Sequence, residues 1–210
     1  SPIGCGGSKL SYSEAERCVI EATREGLEAR FTSGEIISAD LIRKLMLGVP
    51  LYTDLAPVPT PCGVRIIGAV IDGAINLNNG RGDNGTVMPG LVLDYCRIIG
   101  GIDISYAQLG KLSLEHTAVG EIRAVRAFIE GELIANDIHP AEEFGNCFLS
   151  AHSLHVDGDI QLRRAMLRES SEPDQFGTEQ FALDLRNATI NGTVYLRDLV
   201  CHGTINISLA

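Results

Sequence analysis

IIGGIDISYAQLGKLSLEHTAVGEIRA, residues 98–124, is the stretch whose reading decides the fold. Gly100, Gly110 and Gly120 fall ten residues apart, and the residues around them share one pattern, apolar-x-Gly-x-apolar-x-apolar. IIGGIDI fits it outright; QLGKLSL and AVGEIRA fit it more loosely. Apolar residues spaced by two and then interrupted by glycine do not make a helix, whose apolar spacing is three and four. A unit of ten residues is too short to bury its own face, so the units must stack on one another as a β-solenoid. Ile99, Ile104, Leu109, Leu114 and Val119 recur every five residues. That is the period of a square coil in which about twenty residues complete a turn.

Further copies lie on either side: IDGAINL from Ile71, IEGELIA from Ile129, VDGDIQL from Val156, INGTVYL from Ile190 and CHGTINI from Cys201. Their glycines are Gly73, Gly131, Gly158, Gly192 and Gly203. The gaps from Gly73 to Gly100 and from Gly131 to Gly158 are 27 residues, and that from Gly158 to Gly192 is 34. Each wide gap holds a unit without the central glycine (GLVLDYC from Gly90, FLSAHSL from Phe148, ALDLRNA from Ala182) and one polar insertion rich in turn formers. The insertions fall near 78–89, 136–147 and 168–181. The second and third are expected to leave the coil from the same edge, and the first from the opposite one. Glycines are expected at corners, where a positive φ or a close backbone approach excludes a side chain.

The units Ala69 to Leu77 and Ala188 to Leu196 have the form A-x-I-x-G-x-[IVL]-x-L. In this the chain resembles the pentapeptide-repeat-like right-handed β-helix proteins of bacteria, and among them a group often labelled "membrane-associated oxidoreductase". The resemblance spans roughly residue 61 to the end. It implies an all-β solenoid, a right-handed quadrilateral β-helix of about five to six coils over 61–210, behind a short helical segment. It carries architecture; no residue here supports the oxidoreductase label.

Residues 13–60 read as an α-helical cap followed by a Pro-rich linker, and 1–12 as a flexible leader. Ser13 and Glu16 form a capping box ahead of EAERCVIEATREGLEAR, with Ala15, Cys18, Val19 and Ala22 on one face. Ser38 caps ADLIRKLMLG, whose Leu41, Ile42, Leu45 and Met46 are apolar, and Gly48 stops it. Such helices would cover the exposed end of a solenoid, whose open strand edge otherwise invites aggregation. No equivalent cap follows INISLA, which predicts either continuation or a homodimer through that last coil.

The 210 residues are 45% hydrophobic and 5% aromatic, with no Trp and a formal net charge of -10. Aliphatic layers fit that composition, and the negative charge argues against direct nucleic-acid binding. The six cysteines are scattered without CxxC spacing, which favours reduced thiols in a cytoplasmic protein. Contact with a membrane would come only through segments outside this sequence. No pattern calls for a cofactor. In GxGGSK of the opening residues, no apolar strand precedes the glycines, so neither phosphate-binding fingerprint is met.

IEGELIA and VDGDIQL bring Glu130 and Glu132 beside Asp157 and Asp159 when units two apart stack. This acidic corner is either solvated, offset by a base such as Lys111 or Arg163, or a calcium site. In the column Asn76, Asp103, Arg123, an Asp103–Arg123 ion pair is predicted. His152 and His155 are three apart and would point to opposite faces of a strand, which disfavours a shared metal. The function expected is that of a non-enzymatic scaffold recognising a protein partner. Its recognition elements would be the insertions, through Arg81, Asp83, Glu142, Glu143, Glu172 and Asp174, and the acidic corner. The alternatives are an acidic DNA mimic and a carbohydrate-active enzyme using clustered carboxylates.

Overall fold

Strands of two to four residues, paired in parallel, build most of the computed structural model, which describes residues 12–32, 34–51, 63–143, 145–169 and 181–209. Among these residues a seven-stranded sheet runs through Ala29–Arg30, Val64–Ile67, Leu91–Asp94, Leu112–Ser113, Leu133–Ile134, Ile160–Gln161 and Val194–Tyr195. A six-stranded sheet holds Ile75–Asn76, Ile102–Asp103, Glu121–Arg123, Phe148–Ser150, Leu183–Asp184 and Ile205–Asn206. A four-stranded sheet holds Gln108–Leu109, Phe128–Ile129, His155–Val156 and Thr189–Ile190.

The remaining side is split. Ile36–Ser38, Val70–Asp72 and Arg97–Ile99 form one piece, Met166–Arg168 and Val200–His202 the other. Single bridges from Arg97 to Ala118 and from Ala118 to His139 continue the first piece toward the second. From Val64 onward the chain visits the seven-stranded sheet, the split side, the six-stranded sheet and the four-stranded sheet, then returns to the first. This arrangement is compatible with a β-helix.

The registers are those that the glycine spacing requires. Leu91 to Leu112 and Leu112 to Leu133 are partners 21 residues apart; Val64 to Leu91 and Leu133 to Ile160 are 27 apart; Ile160 to Val194 are 34 apart. Ile104, Leu109, Leu114, Val119 and Leu162 all bury their side chains in one aliphatic core, and Leu196 packs against it. Ile99 departs from the expected five-residue column: it is half-buried, and Ile98 is the residue that enters the core. Side chains alternate in and out along a strand, so the unit of Ile98 is offset by one from its neighbours. In the last rung Ile205, Ile207 and Leu209 stay exposed, because no described rung covers them.

Two helices pack at the first rungs. Helix α1, Glu14–Glu25, has the capping box of Ser13 and Glu16 and ends at Gly26 in the left-handed conformation. It stops earlier than the sequence pattern suggests, and Ala29–Arg30 instead pairs with Ile66 and Ile67. Its buried residues are Val19, Ile20 and Thr23, whereas Cys18 is exposed. Helix α2, Ala39–Met46, is capped by Ser38 and buries Leu41, Ile42, Leu45 and Met46 as expected. The leader up to residue 11 and the Pro-rich linker over 52–62 lie outside the described residues.

Candidate functional site

The insertions and the acidic corner occupy different corners of the rungs. Residues 140–147 join the split side to the six-stranded sheet, and Arg168 and Phe181 flank the third insertion at the same corner, one rung on. The second and third insertions thus share an edge. The first joins Leu77 of the six-stranded sheet to Met88 beside the four-stranded one, a neighbouring corner and not the opposite one expected. Residues 170–180, with Glu172 and Asp174, lie outside the described residues.

The second insertion folds back over the split side. Ala141 is buried, and Glu143 reaches Arg97, two rungs away, at 3.1 Å. Glu142 stays exposed. Beside this loop the corner is made of Gly73, Gly100 and Gly101 and opens into a shallow depression of about 230 Å³. Asn76, Asp103, Glu121 and Arg123 supply its polar lining, and no aromatic side chain contributes. Asn76, Asp103 and Arg123 do stand in one column. The predicted Asp103–Arg123 pair is nevertheless not formed: Arg123 turns to Glu121 on its own strand. Asp103 accepts hydrogen bonds from Asn78 Nδ2 at 3.2 Å and from the Ser105 backbone N–H at 2.8 Å. Its carboxylate caps its own turn two residues on and takes Asn78 from the rung on the other side, so it is engaged without Arg123.

On the first insertion Arg81 is exposed, and Asp83 opens a 3-10 turn, Asp83–Gly85.

The four carboxylates of the acidic corner are adjacent in register but engaged separately. Glu132 pairs with Lys111 at 3.2 Å and also accepts from Gln161 at 3.4 Å. Asp157 lies 2.9 Å from His155 Nε2 and accepts from Asn191 at 2.8 Å; the His155 bond, with that of Asn191, holds its carboxyl below the usual carboxylate range. Asp159 accepts the backbone N–H of Thr193 at 2.8 Å. Glu130 is exposed. Among the described residues no three acidic, histidine or cysteine side chains converge on a point that could hold a metal ion, so the calcium arrangement is not assembled. His155 also stacks on Phe128 with ring centroids 5.2 Å apart.

One constellation escaped the sequence reading. Between the seven-stranded sheet and the split side, Tyr95, His116, Asp137, Arg164 and Asp198 take the left-handed conformation on successive rungs. Tyr95 and His116 stack at 4.6 Å, His116 Nδ1 lies 3.7 Å from Asp137, and Arg164 holds both oxygens of Asp137 at 2.7 and 2.6 Å. That guanidinium keeps the Asp137 carboxyl below its ordinary range. The signal was present for four of them: His116, Asp137, Arg164 and Asp198 follow Gly110, Gly131, Gly158 and Gly192 at a constant six positions.

Cys96 and Cys147 are buried, and burial pushes their thiols up to about 11 and about 12, which keeps them protonated and poor nucleophiles. No helix among the described residues is long and apolar enough to cross a membrane. No family model, curated protein or solved structure matches this chain.

Proposed function

We propose that the chain is a non-enzymatic interaction scaffold, a right-handed quadrilateral β-helix of pentapeptide-repeat-like kind that presents loops from one corner to a protein partner in the cytosol. Parallel crossover connections within a sheet are right-handed in roughly 98% of cases, which supports the hand. The observation that carries the functional reading is the shared corner. Two insertions leave it on successive rungs, next to a shallow polar depression, and this suits the broad contact of a macromolecule better than the enclosure a small substrate needs. Carboxylates also alternate with bases along the surface, as in Lys111–Glu132, Arg97–Glu143 and Arg164–Asp137. That interleaving weakens the case for a continuous polyanion stripe, and a depression without an aromatic platform weakens the case for a sugar-cleaving site.

The test is photo-crosslinking in the native host with a benzophenone residue placed at Glu142 or, as control, at Arg65 on the outer face of the seven-stranded sheet. The reading expects a discrete protein adduct from position 142 that is lost when the neighbouring third insertion, residues 170–180, is replaced by a Gly-Ser linker. Equal adducts from both positions, or one indifferent to the loop, would overturn it.

A further inference from the structure

Three Asn-Gly pairs lie among the described residues, at Asn79, Asn84 and Asn191, and their surroundings differ. Asn-Gly is the dipeptide in which a backbone nitrogen most easily reaches the preceding side-chain amide, because glycine sets no Cβ in the way. Asn79 donates its amide to Asn78, and Gly80 is buried, with Leu77 O 2.7 Å from where a Cβ would stand. Asn191 is tied at both ends: its backbone N–H donates to Val156 O at 2.9 Å, and its side-chain amide donates to Asp157 at 2.8 Å. Gly192 is exposed, but it packs closely on the rung below, with Gly158 O 2.4 Å from a Cβ position. Asn84 is exposed at the tip of the first insertion, and nothing lies within 4 Å of a Cβ at Gly85. The Gly85 N–H is held by a single bond to Gly82 O, 3.1 Å away within the same tight turn.

We infer that Asn84 is a site of spontaneous covalent modification, the one of the three that converts in the folded protein. The Gly85 nitrogen attacks Asn84 Cγ, a C–N bond forms, and the Cγ–Nδ2 bond breaks. Ammonia departs with the proton of the Gly85 amide and leaves a five-membered imide. Water then opens the imide at either carbonyl, giving aspartate or isoaspartate. No enzyme or oxidant is needed; water is the co-reactant. The reaction requires the backbone of residues 84–85 to rotate, which a solvated loop tip permits and a strand end does not. Its product adds a carboxylate to the RGDNG loop, and the isoaspartyl form also reroutes the backbone through the side chain. The charge of the first insertion would then change with the age of the molecule.

Trypsin separates the three sites, because cleavage after Arg65, Arg81, Arg97, Arg186 and Arg197 gives peptides 66–81, 82–97 and 187–197. The full chain is incubated folded at mildly alkaline pH, and each peptide is followed by mass spectrometry and by isoaspartyl methyltransferase labelling. Peptide 82–97 is expected to gain the acid at least about tenfold faster than 187–197, the factor given by one hydrogen bond to a charged group that must break, and faster than 66–81, where Asn79 is held by the neutral Asn78 and Gly80 is buried. In urea the three rates should converge, and Asn84→Ala should abolish the change in 82–97 alone. Equal rates in the folded chain, or the same ranking in urea, would overturn the assignment.

Discussion

Gly158 shows what the repeated glycine does. Its backbone is not in the left-handed region, yet a Cβ there would lie 2.6 Å from Gly131 O in the rung below. Gly131 stands in the same relation to Gly110 O at 2.7 Å, and Gly192 to Gly158 O at 2.4 Å. At this corner, then, glycine serves close approach. Gly158→Ala is expected to lower stability by about 1–3 kcal/mol, the range for overpacking. Gly110→Ala, whose Cβ would meet nothing nearer than 3.4 Å, should cost under about 0.5 kcal/mol, as for substitutions that leave packing undisturbed. Urea denaturation of the two variants separates them, and similar losses would contradict the packing argument. Glycine does supply the positive φ between the split side and the six-stranded sheet, at Gly73, Gly100, Gly101 and Gly203, but two other corners give that conformation to other residues: Tyr95, His116, Asp137, Arg164 and Asp198 at one, Asn79, Tyr106, Arg126, Ser153 and Asn187 at the other. Asn and Asp tolerate that conformation, whereas Tyr and Arg adopt it less readily. That is why glycine drew attention and these residues did not.

Asp137 makes a pH prediction at the same scale. Its folded carboxyl lies below the ordinary value because Arg164 grips it. A depressed carboxyl contributes stability that is complete above the unfolded pKa of about 3.9 and is lost as pH falls through the lower folded value. Arg164→Met should therefore flatten the acid limb of stability below about pH 4 while leaving the pH dependence between 6 and 8 unaltered. Denaturation series at pH 3, 4 and 7 check it, and an unaltered acid limb would show that the pair is not formed in solution.

At the scale of elements, the repeat was legible because alternation and glycine spacing act together. Partners such as Ile71 and Ile98, or Leu133 and Ile160, follow directly from aligning the units. The helices were legible from their caps, but the end of α1 was not. GLEAR continues the polar composition of the helix, and only the left-handed Gly26, with its N–H bonded to Thr23 O at 3.2 Å, stops it. The strands that follow, Ala29–Arg30 and Ile36–Ser38, carry no glycine-centred unit and are set by pairing with the first full rung. Ion pairs were the least legible. Lys111–Glu132 follows from adjacent register, while the Arg123–Glu121 contact within one strand depends on rotamers that spacing does not encode. The Ser13 cap closes α1 against the first rungs, so Ser13→Ala should cost about 1 kcal/mol. Thermal unfolding by circular dichroism would report it, and an unchanged midpoint would mean that the helix end frays in the wild type.

Across the whole molecule, the rungs decide which distant segments become neighbours. Two insertions separated by more than twenty residues of sequence share one corner, and acids from Glu130 to Asp159 share another, because units two apart lie in contact. The proposed function rests on that juxtaposition. Spin labels placed along one outward column of the seven-stranded sheet measure it most directly. Arg65, Val92, Ser113, Ile134, Gln161 and Tyr195 follow one another in register. With one label at position 65 and the other at 134, 161 or 195, the distances should be about 14, 19 and 24 Å, one strand spacing per rung whether that rung holds 21, 27 or 34 residues. Distances that scale with the number of intervening residues, or that do not step between the three pairs, would contradict the stacked arrangement.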